Sequence, residues 1–229
     1  MIAKLLRKFF KFCLLTVLVF IVTSFAVVGA LRFFNPPTTA FIASWQLEHG
    51  RRAYQQWQPL EQISPHLQLA VISSEDQKLP HHFGFDFDSI QKALSESNGR
   101  PRGASTISQQ VAKNLFLWNG RSYVRKLLEA WLTLVIECLW PKQRILEYYL
   151  NIAEFGNGIY GAQAAALSFY NRPARQLTPW QSSLLAAVLP NPKAMSAAKP
   201  SDYVQTRARE IIAAGRQLGG TDYLRQLDR

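Results

Sequence analysis

Residues 67–86 read LQLAVISSEDQKLPHHFGFD, an apolar run that ends in two adjacent acidic residues and a pair of histidines. The apolar half predicts a buried helix, which would place Glu75 and Asp76 at or near the end of a core element. A rigid element of this kind can hold a carboxylate at the edge of a cleft, as an acid or a base. A surface Glu–Asp pair beside a solvated loop explains the same residues, because ion-pair networks also gather charge. This segment alone leaves both interpretations open.

The size and charge of the chain limit the classes of partner. Its 229 residues allow one domain with a sizeable core and an appendage. A formal charge of +11 and a pI near 9.9 favour an anionic partner such as nucleic acid, a phospholipid surface or a phosphorylated substrate. The sequence has no zinc-finger spacing, RNP-type aromatic motif or basic zipper, so we expect no nucleic-acid partner.

The N-terminus combines a basic tail with a long uncharged segment. Residues 12–31 form an apolar run of about 20 residues, enough for a helix to cross a hydrocarbon core of about 30 Å. A cleaved signal peptide is the alternative, but it usually has a shorter apolar region and a small-x-small cleavage site. The sequence therefore predicts a retained membrane anchor. The preceding basic residues are Lys4, Arg7, Lys8 and Lys11.

These features divide the chain into three parts. The predicted parts are a cytoplasmic tail at residues 1–11, an anchor at 12–34 and a catalytic domain at 35–229. Because basic residues without acids flank the cytoplasmic end of membrane spans, we expect the domain to lie outside the cytoplasm, on the periplasmic side of an inner membrane. Two prolines after Asn35 stop the anchor helix from continuing.

A second polar cluster follows a predicted helix start. Thr106 and Gln109 have the spacing of a capping box, and Gln110 and Lys113 extend the polar face. A helix N-terminus followed by a lysine is a good cradle for a phosphate. An ordinary amphipathic helix with a polar solvent face explains the same pattern.

A third cluster lies in the long helix predicted for residues 121–139. Arg125, Lys126 and Glu129 fall within one turn, which could mean only a surface ion pair. The residues after Glu129 are nearly all apolar, which favours a glutamate that lines a cavity. Glu147, Asn151 and Glu154 form a short polar stripe on the next helix and are expected to support the site at most.

The remaining patterns are helical, including residues 41–57, and no segment shows convincing period-two alternation, which predicts a mainly α architecture. The aromatic-rich residues 83–90 could pack in the core or enter the membrane interface. Cys13 and Cys138 cannot plausibly pair, and both are interpreted as apolar packing residues.

Four motifs in order resemble the peptidoglycan glycosyltransferases. They read EDQKLPHHFG at residues 75–84, RGASTISQQVAKN at 102–114, RKLLE at 125–129 and ILEYYLN at 145–151. The resemblance runs from about residue 40 to the C-terminus. Leu79 stands where many members carry Phe, and Ala104 where many carry Gly, so these departures affect packing and remove no reactive group.

The resemblance implies a lysozyme-like helical glycosyltransferase domain behind one N-terminal transmembrane helix. It implies that the enzyme polymerises lipid II into β-1,4 glycan strands of peptidoglycan, with inversion at the donor and release of undecaprenyl pyrophosphate. The expected partners are lipid II, the growing lipid-linked glycan chain, the membrane and other cell-wall synthesis proteins.

The resemblance also implies roles for individual residues. Glu75 would be the general base for the acceptor hydroxyl, and Glu129 would assist the departing pyrophosphate, directly or through a divalent cation such as Mg²⁺ or Mn²⁺. No cofactor is required with certainty, and the metal ligands are unknown. The residues expected to bind phosphates or other parts of the substrate are Asp76, His82, Ser105, Thr106, Gln109, Gln110, Lys113, Asn114, Arg125 and Lys126.

Three other interpretations bear on these residues. A lytic transglycosylase or muramidase would also use a catalytic Glu, but finished glycan carries no pyrophosphate for the basic cluster. A membrane-anchored scaffold could keep the motifs as a binding groove only. Residues 196–199, SAAK, match the Ser-x-x-Lys motif of penicillin-binding domains, but no Lys-Thr-Gly or Ser-x-Asn accompanies them, so we expect no transpeptidase domain.

Overall fold

The computed structural model describes residues 2–89, 91, 105–120 and 122–228, and it is mostly helical, which confirms the predicted class. The helices are α1 (Ile2–Leu31), α2 (Ala40–His49), α3 (Pro65–Glu75), α4 (Ile107–Phe116), α5 (Tyr123–Leu139), α6 (Lys142–Ile152), α7 (Ala162–Tyr170), α8 (Pro179–Val188) and α9 (Asp202–Gln217). Short 3-10 segments cover Leu60–Gln62, Ala174–Gln176 and Gly220–Asp228.

Three short strands are present beside the predicted helices. They are β1 (Tyr54–Gln55), β2 (Glu154–Gly156) and β3 (Ile159–Tyr160). The central strand β3 runs parallel to β1 and antiparallel to β2. Strands of two or three residues are too short to show period-two alternation, so the sequence pattern could not reveal them.

Helix α2 ends earlier than the helical pattern of residues 41–57 predicted. Gly50 follows the last helical residue with φ +62°, and its N–H donates to the carbonyl of Gln46. A glycine in this left-handed conformation is a common helix stop, and it turns the chain into β1.

Helix α3 lies at the centre of the domain, as predicted for the apolar run at residues 67–73. Its start is fixed by Ser64, whose Oγ accepts from the N–H of His66, and by Pro65 in the first turn. Leu67, Val71 and Ile72 are fully buried, and α3 packs against α8 and α9. The helix ends at Glu75, so a carboxylate leaves the core at its last residue.

Helix α1 is long and apolar enough to cross a membrane, which fits an anchor. Its apolar span lies within Lys4–Leu31, and most of that span is exposed. The basic residues predicted for a separate tail occupy the first turns of this same helix. Its last turns contact α5, where the indoles of Trp131 and Trp140 donate to Ser24 Oγ at 3.1 Å and to the Val28 carbonyl at 2.8 Å.

Helix α6 holds the C-terminal end of α1. The hydroxyl of Tyr148 lies 2.8 Å from the carbonyls of both Leu31 and Phe34, and the guanidinium of Arg144 donates to the same two carbonyls at 3.0 and 3.1 Å. A cation at this end of a helix also interacts favourably with the helix dipole. Side chains of α6 therefore bind the backbone at the C-terminal end of α1. These contacts set the orientation of α1 relative to the domain.

Several sequence predictions concern residues that are exposed or that lie outside the described part of the chain. Cys138 is exposed, which corrects its interpretation as a packing residue, because α5 presents a second apolar side outside the core. Phe83 and Phe87 are exposed rather than packed in the core. Ile90, the predicted loop at residues 98–103 and Arg121 lie outside the described residues.

Candidate active site

Glu75 lies partly exposed at the end of α3, in a polar cavity of about 230 Å³. Its Oε2 accepts a hydrogen bond from the side-chain amide of Gln110 at 3.0 Å. Burial raises the pKa of Glu75 above its ordinary value, and neighbouring Asp76 adds to the increase; Gln110, Arg207 and Ser74 oppose it. A carboxylate with a raised pKa is a stronger base once it is deprotonated.

A hydrogen-bonded chain behind Glu75 starts in α6. The Tyr149 hydroxyl donates to Gln110 Oε1 at 3.3 Å, which leaves the Gln110 amide free to donate to Glu75. Burial raises the pKa of Tyr149 well above its usual range, and the negative charges of Glu75 and Asp76 add to this. Tyr149 therefore stays a neutral donor that positions Gln110. Neither Tyr149 nor Arg207 was among the site residues predicted from sequence.

The raised pKa of Glu75 makes a prediction for stability. Because the folded protein holds this proton more tightly than the unfolded chain, ionising Glu75 destabilises the fold, and the cost is absent below the ordinary value of 4.5. We expect Glu75→Gln, which cannot ionise, to raise the melting temperature at pH 7.5 and to lose this advantage at pH 4. Thermal unfolding in detergent at the two pH values measures the difference.

The exposed Glu61 provides the control for this experiment. Glu61→Gln removes a carboxylate that is not buried, so its melting temperature should follow the wild type at both pH values. An equal loss of stability in Glu75→Gln at pH 4 and pH 7.5 would contradict the assigned direction of the pKa shift.

Asp76 and His82 join α3 to the start of α4. His82 Nε2 lies 2.9 Å from Asp76 Oδ1, and Asp76 Oδ2 accepts from the N–H of Ile107 at 2.9 Å. The Gly84 N–H donates to His82 Nδ1, and a Cβ on Gly84 would lie 2.7 Å from Thr133. Both predicted substrate-binding side chains are buried in this network, and their contact with substrate stays a prediction.

A further buried network supports the same region. Glu137 accepts from Ser108 Oγ at 2.5 Å and from Lys142 Nζ at 2.8 Å, and Lys142 also donates to the His82 carbonyl at 2.6 Å. Glu137 was not predicted from the sequence, because it lies in an otherwise apolar run. This network ties the end of α5 and the start of α6 to the loop after Glu75.

The capping box at the start of α4 is confirmed. Thr106 Oγ1 accepts from the Gln109 N–H at 3.2 Å and donates to the Gly84 carbonyl at 2.7 Å, while Gln109 Oε1 accepts from the Thr106 N–H. Thr106 and Gln109 are buried and engaged in these contacts. Ser105 is exposed and lines the cavity beside Glu75, so it remains available to a ligand.

Glu129 is buried on α5 between two cations. Arg125 Nη1 lies 2.6 Å from Glu129 Oε2, and Lys126 Nζ lies 2.5 Å from Oε1. The Arg125 Nε also donates to the Gly120 carbonyl at 2.9 Å, which fixes the guanidinium. These residues are therefore a held cluster and not a flexible surface pair.

Lys113 on α4 completes this cluster. Burial lowers its pKa, and Arg125 and Lys126 lower it further, whereas Glu129 opposes them. Its ammonium group also lies 5.1 Å from the centre of the Phe41 ring. Three cations around one carboxylate leave a net positive site, so an anion bound there would relieve the repulsion among the cations. The partly exposed Asn114 follows Lys113.

Helix α4 links the two predicted carboxylates through side chains one turn apart. Gln110 contacts Glu75, and Lys113, about one turn later, interacts electrostatically with Glu129. One turn of α4 therefore contacts a carboxylate with a raised pKa, and the next turn lies beside a cationic cluster. This arrangement suits a reaction that takes a proton from one group and stabilises an anion on another.

The residues around Glu129 offer a metal little coordination of their own. Among the described residues no group of three or more His, Cys, Asp or Glu side chains could hold a metal ion. Mg²⁺ commonly binds through one or two carboxylates together with substrate phosphates. Glu129 fits that pattern only when a diphosphate supplies the other ligands.

The three residues of the polar stripe predicted for one helix all bind backbone or side-chain groups of the fold, but Glu154 lies beyond the helix, in β2. Glu147 accepts from the indole of Trp57 and the N–H of Leu60, and Asn151 exchanges hydrogen bonds with the backbone of Gln58. Glu154 accepts from a backbone N–H in the turn between β2 and β3. These contacts hold the segment between β1 and α3 in place.

A family model described as "Transglycosylase" matches residues 42–215. The chain belongs to this transglycosylase family.

Three relatives carry the name "Biosynthetic peptidoglycan transglycosylase". The relative from Pseudomonas fluorescens is 51% identical over 98% of this chain and 96% of its own. The relative from Xanthomonas campestris pv. campestris (strain 8004) is 50% identical over 95% and 92%. The third, from Ectopseudomonas mendocina, is 52% identical over 88% and 86%. The chain is therefore a glycosyl-transferring enzyme.

Proposed function

We propose that this enzyme polymerises lipid II into linear β-1,4 glycan strands of peptidoglycan and releases undecaprenyl pyrophosphate. The observation that carries the proposal is that α4 contacts Glu75 through Gln110 and, one turn later, places Lys113 beside the cluster of Arg125, Lys126 and Glu129. A base for an acceptor hydroxyl and cations for a departing diphosphate are the two requirements of this reaction. The names of the relatives support the substrate class.

In this proposal Glu75 takes the proton from the 4-hydroxyl of the acceptor, lipid II. The oxygen attacks the anomeric carbon of the growing chain, and the bond to the diphosphate breaks with inversion. Gln110 and Tyr149 hold the Glu75 carboxylate in position through their chain of hydrogen bonds. A carboxylate that is already held in position loses less conformational entropy when the two substrates bind.

The leaving diphosphate would bind at the cationic cluster. Arg125 and Lys126 are oriented by Glu129, so their donors are in place before substrate binds. Burial lowers the pKa of Lys113, and a bound anion would stabilise the charged form of this lysine again. A diphosphate needs no proton to leave, because its charge is stabilised by these donors.

Polymerisation of purified lipid II by the purified protein in detergent tests the proposal. We expect undecaprenyl pyrophosphate and glycan chains to form together. Lipid II that remains unchanged with folded protein would contradict the proposed function and favour a scaffold role.

We further propose that α1 spans the inner membrane with its N-terminus in the cytoplasm. The support is the cluster of basic residues at the start of α1, because basic residues flank the cytoplasmic end of membrane spans. We expect protease added to spheroplasts to digest the residues beyond Asn35. A tag at the N-terminus is the control and should stay protected, and full protection of both ends would contradict this orientation.

A further inference from the structure

A 3-10 segment at Gly220–Asp228 lies beyond the residues that the family model matches. Runs of 3-10 helix longer than about four residues are uncommon, so a segment of nine residues needs support from its surroundings. Tyr223 and Leu227, one turn apart, are only 6% and 2% exposed, and the segment packs against α3. The segment is therefore held firmly on the helix that carries Glu75.

The Tyr223 hydroxyl reaches the loop that follows Glu75. It donates to the carbonyl of Gln77 at 2.6 Å, and the Tyr223 ring lies edge-on to the ring of His81 with 6.3 Å between the ring centres. Burial raises the pKa of Tyr223, and the negative charge of Asp76 adds to this, so the phenol stays a neutral donor. The hydrogen bond therefore fixes a carbonyl two residues after the end of α3.

Gln77 connects this hydrogen bond to α3 itself. Its side-chain amide donates to the carbonyl of Ser73 at 3.0 Å, in the last turn of the helix. The last carbonyls of a helix have no partner within the helix, so this contact satisfies one of them. Gln77 is thus bound to α3 on one side and to Tyr223 on the other, and it lines the same cavity as Glu75.

Other contacts hold the two ends of this loop. Asp76 accepts from the N–H of Ile107 at 2.9 Å, and the His82 carbonyl accepts from Lys142 at 2.6 Å. These partners belong to α4 and α6, whereas Tyr223 binds the loop between them from the C-terminal segment. Loss of the Tyr223 hydroxyl would therefore free the part of the loop that is closest to Glu75 and not fixed by α4.

We propose that Tyr223 is a positioning residue for Glu75, because through Gln77 it fixes the end of α3 at which the carboxylate leaves the core. This inference rests on the proposed function, in which Glu75 is the base, and extends it to a segment outside the matched region. A base must lie within about 2.6–3.2 Å of the acceptor oxygen to take its proton. A small shift of the helix end therefore lowers the rate without removing a group that binds substrate.

The test compares two Tyr→Phe variants, each of which removes one hydroxyl and keeps the ring. Tyr223→Phe breaks the contact with Gln77. The matched control is Tyr170→Phe, because the Tyr170 hydroxyl also donates to a backbone carbonyl, that of Ala197 at 3.1 Å, and neither residue lines the cavity beside Glu75. The full-length proteins are compared in the same detergent by lipid II turnover and by hydrogen exchange of the backbone amides of residues 76–82.

We expect Tyr223→Phe to lower kcat for lipid II by about tenfold with KM unchanged. The N–H groups of Leu79 and His81, which donate within the loop, should exchange faster than in the wild type. Tyr170→Phe should keep the wild-type kcat and the wild-type exchange of this loop. Wild-type exchange in Tyr223→Phe would overturn the proposal, and so would faster exchange with an unchanged kcat or an equal loss of kcat in the two variants.

Gln77→Ala keeps the proposal testable if Tyr223→Phe fails to fold, because it cuts the next link at an exposed side chain. It should lower kcat by a similar factor. The double variant should lose no more than the more affected single variant, since residues that act through one chain of contacts are not additive. Losses that multiply in the double variant would show that Tyr223 does not act through Gln77.

The proposed function and this inference can fail separately. Wild-type protein that polymerises lipid II, with no difference between Tyr223→Phe and Tyr170→Phe, would keep its function and lose the positioning role of Tyr223. Wild-type protein that ignores lipid II would lose the proposed function. Faster exchange of residues 76–82 in Tyr223→Phe alone would then still support Tyr223 as the residue that holds the loop after Glu75.

Discussion

Replacing Glu75 with Gln is expected to lower the turnover of lipid II by about 10²- to 10⁴-fold, the usual contribution of a general base. Gln has nearly the same shape, and its carbonyl oxygen can still accept from Gln110, so the cleft and substrate binding should persist. The cationic cluster does not involve Glu75, so we expect its ion pairs to stay as they are in the variant. The loss should therefore appear in kcat with little change in KM.

The pH dependence of kcat/KM gives this experiment a second readout. If Glu75 is the proposed base it works only when deprotonated, so we expect activity to rise with pH through a pKa above the ordinary value of 4.5. The Gln variant should lack that rise, whereas the exposed control Glu61→Gln should keep the wild-type rate and profile. Polymer yield from a folded Glu75→Gln protein close to that of the wild type would remove Glu75 from the role of base.

The elements near Glu75 show what local patterns can predict. The end of α3 at Glu75 and the start of α4 at Thr106 were predicted because burial periodicity and capping are local properties. The end of α2 was missed although Gly50 is a standard helix stop, because apolar and aromatic residues continue beyond it. Local signals thus located the helices that carry the site better than the connections between them.

The neighbouring tyrosines of α6 show why the tertiary contacts of the candidate site could not be predicted from the sequence. Tyr148 hydrogen-bonds the carbonyls at the end of the anchor, whereas Tyr149 donates to Gln110 behind Glu75. Adjacent residues on a helix point about 100° apart, but the sequence does not say which side faces which partner. The partners lie more than 35 residues away in the chain, so only the tertiary structure separates an anchor contact from a site contact.

Asp76 and Glu137 make the same point about charge. Asp76 stood next to the predicted base and was assigned to substrate, yet its oxygens are taken by His82 and the N–H of Ile107. Glu137 looked like an isolated acid in an apolar helix, yet it is paired with Lys142 and Ser108. A sequence shows that a carboxylate is present, but its partners decide whether it binds ligand or joins helices.

The exposed apolar side of α5 extends this argument to the membrane. The sequence showed a helix that is apolar on nearly all sides, which predicts burial on all sides in a soluble protein. In the structure Val124 and Leu127 are exposed, and Trp131 packs against the anchor. The contact of Trp131 with the anchor helix thus explains one residue of this apolar run that the domain core alone does not.

Replacing Arg125 with Ala is expected to weaken the use of lipid II strongly without converting the protein into a hydrolase. The guanidinium lies 2.6 Å from Glu129 and is 12% exposed at its side chain, so it can give a diphosphate a charge-assisted hydrogen bond in a partly desolvated site. Such a bond contributes about 1.5–3 kcal/mol, which corresponds to a loss of about 10- to 100-fold in kcat/KM. Lys126 still pairs with Glu129 in the variant, so the buried carboxylate is not left alone.

The test offers lipid II and purified sacculi in parallel to the wild type, to Arg125→Ala and to the exposed control Arg175→Ala. A muramidase needs a protonated carboxylic acid for a sugar leaving group, and holding a Glu protonated near neutral pH calls for an apolar pocket without cations. Glu129, the carboxylate beside the proposed diphosphate site, lies between two cations instead. We therefore expect lipid II to be consumed and sacculi to stay intact, with the loss confined to Arg125→Ala. Soluble muropeptides released from sacculi while lipid II remains untouched would show that the cleft degrades glycan, because the cationic cluster would then have no leaving diphosphate to stabilise.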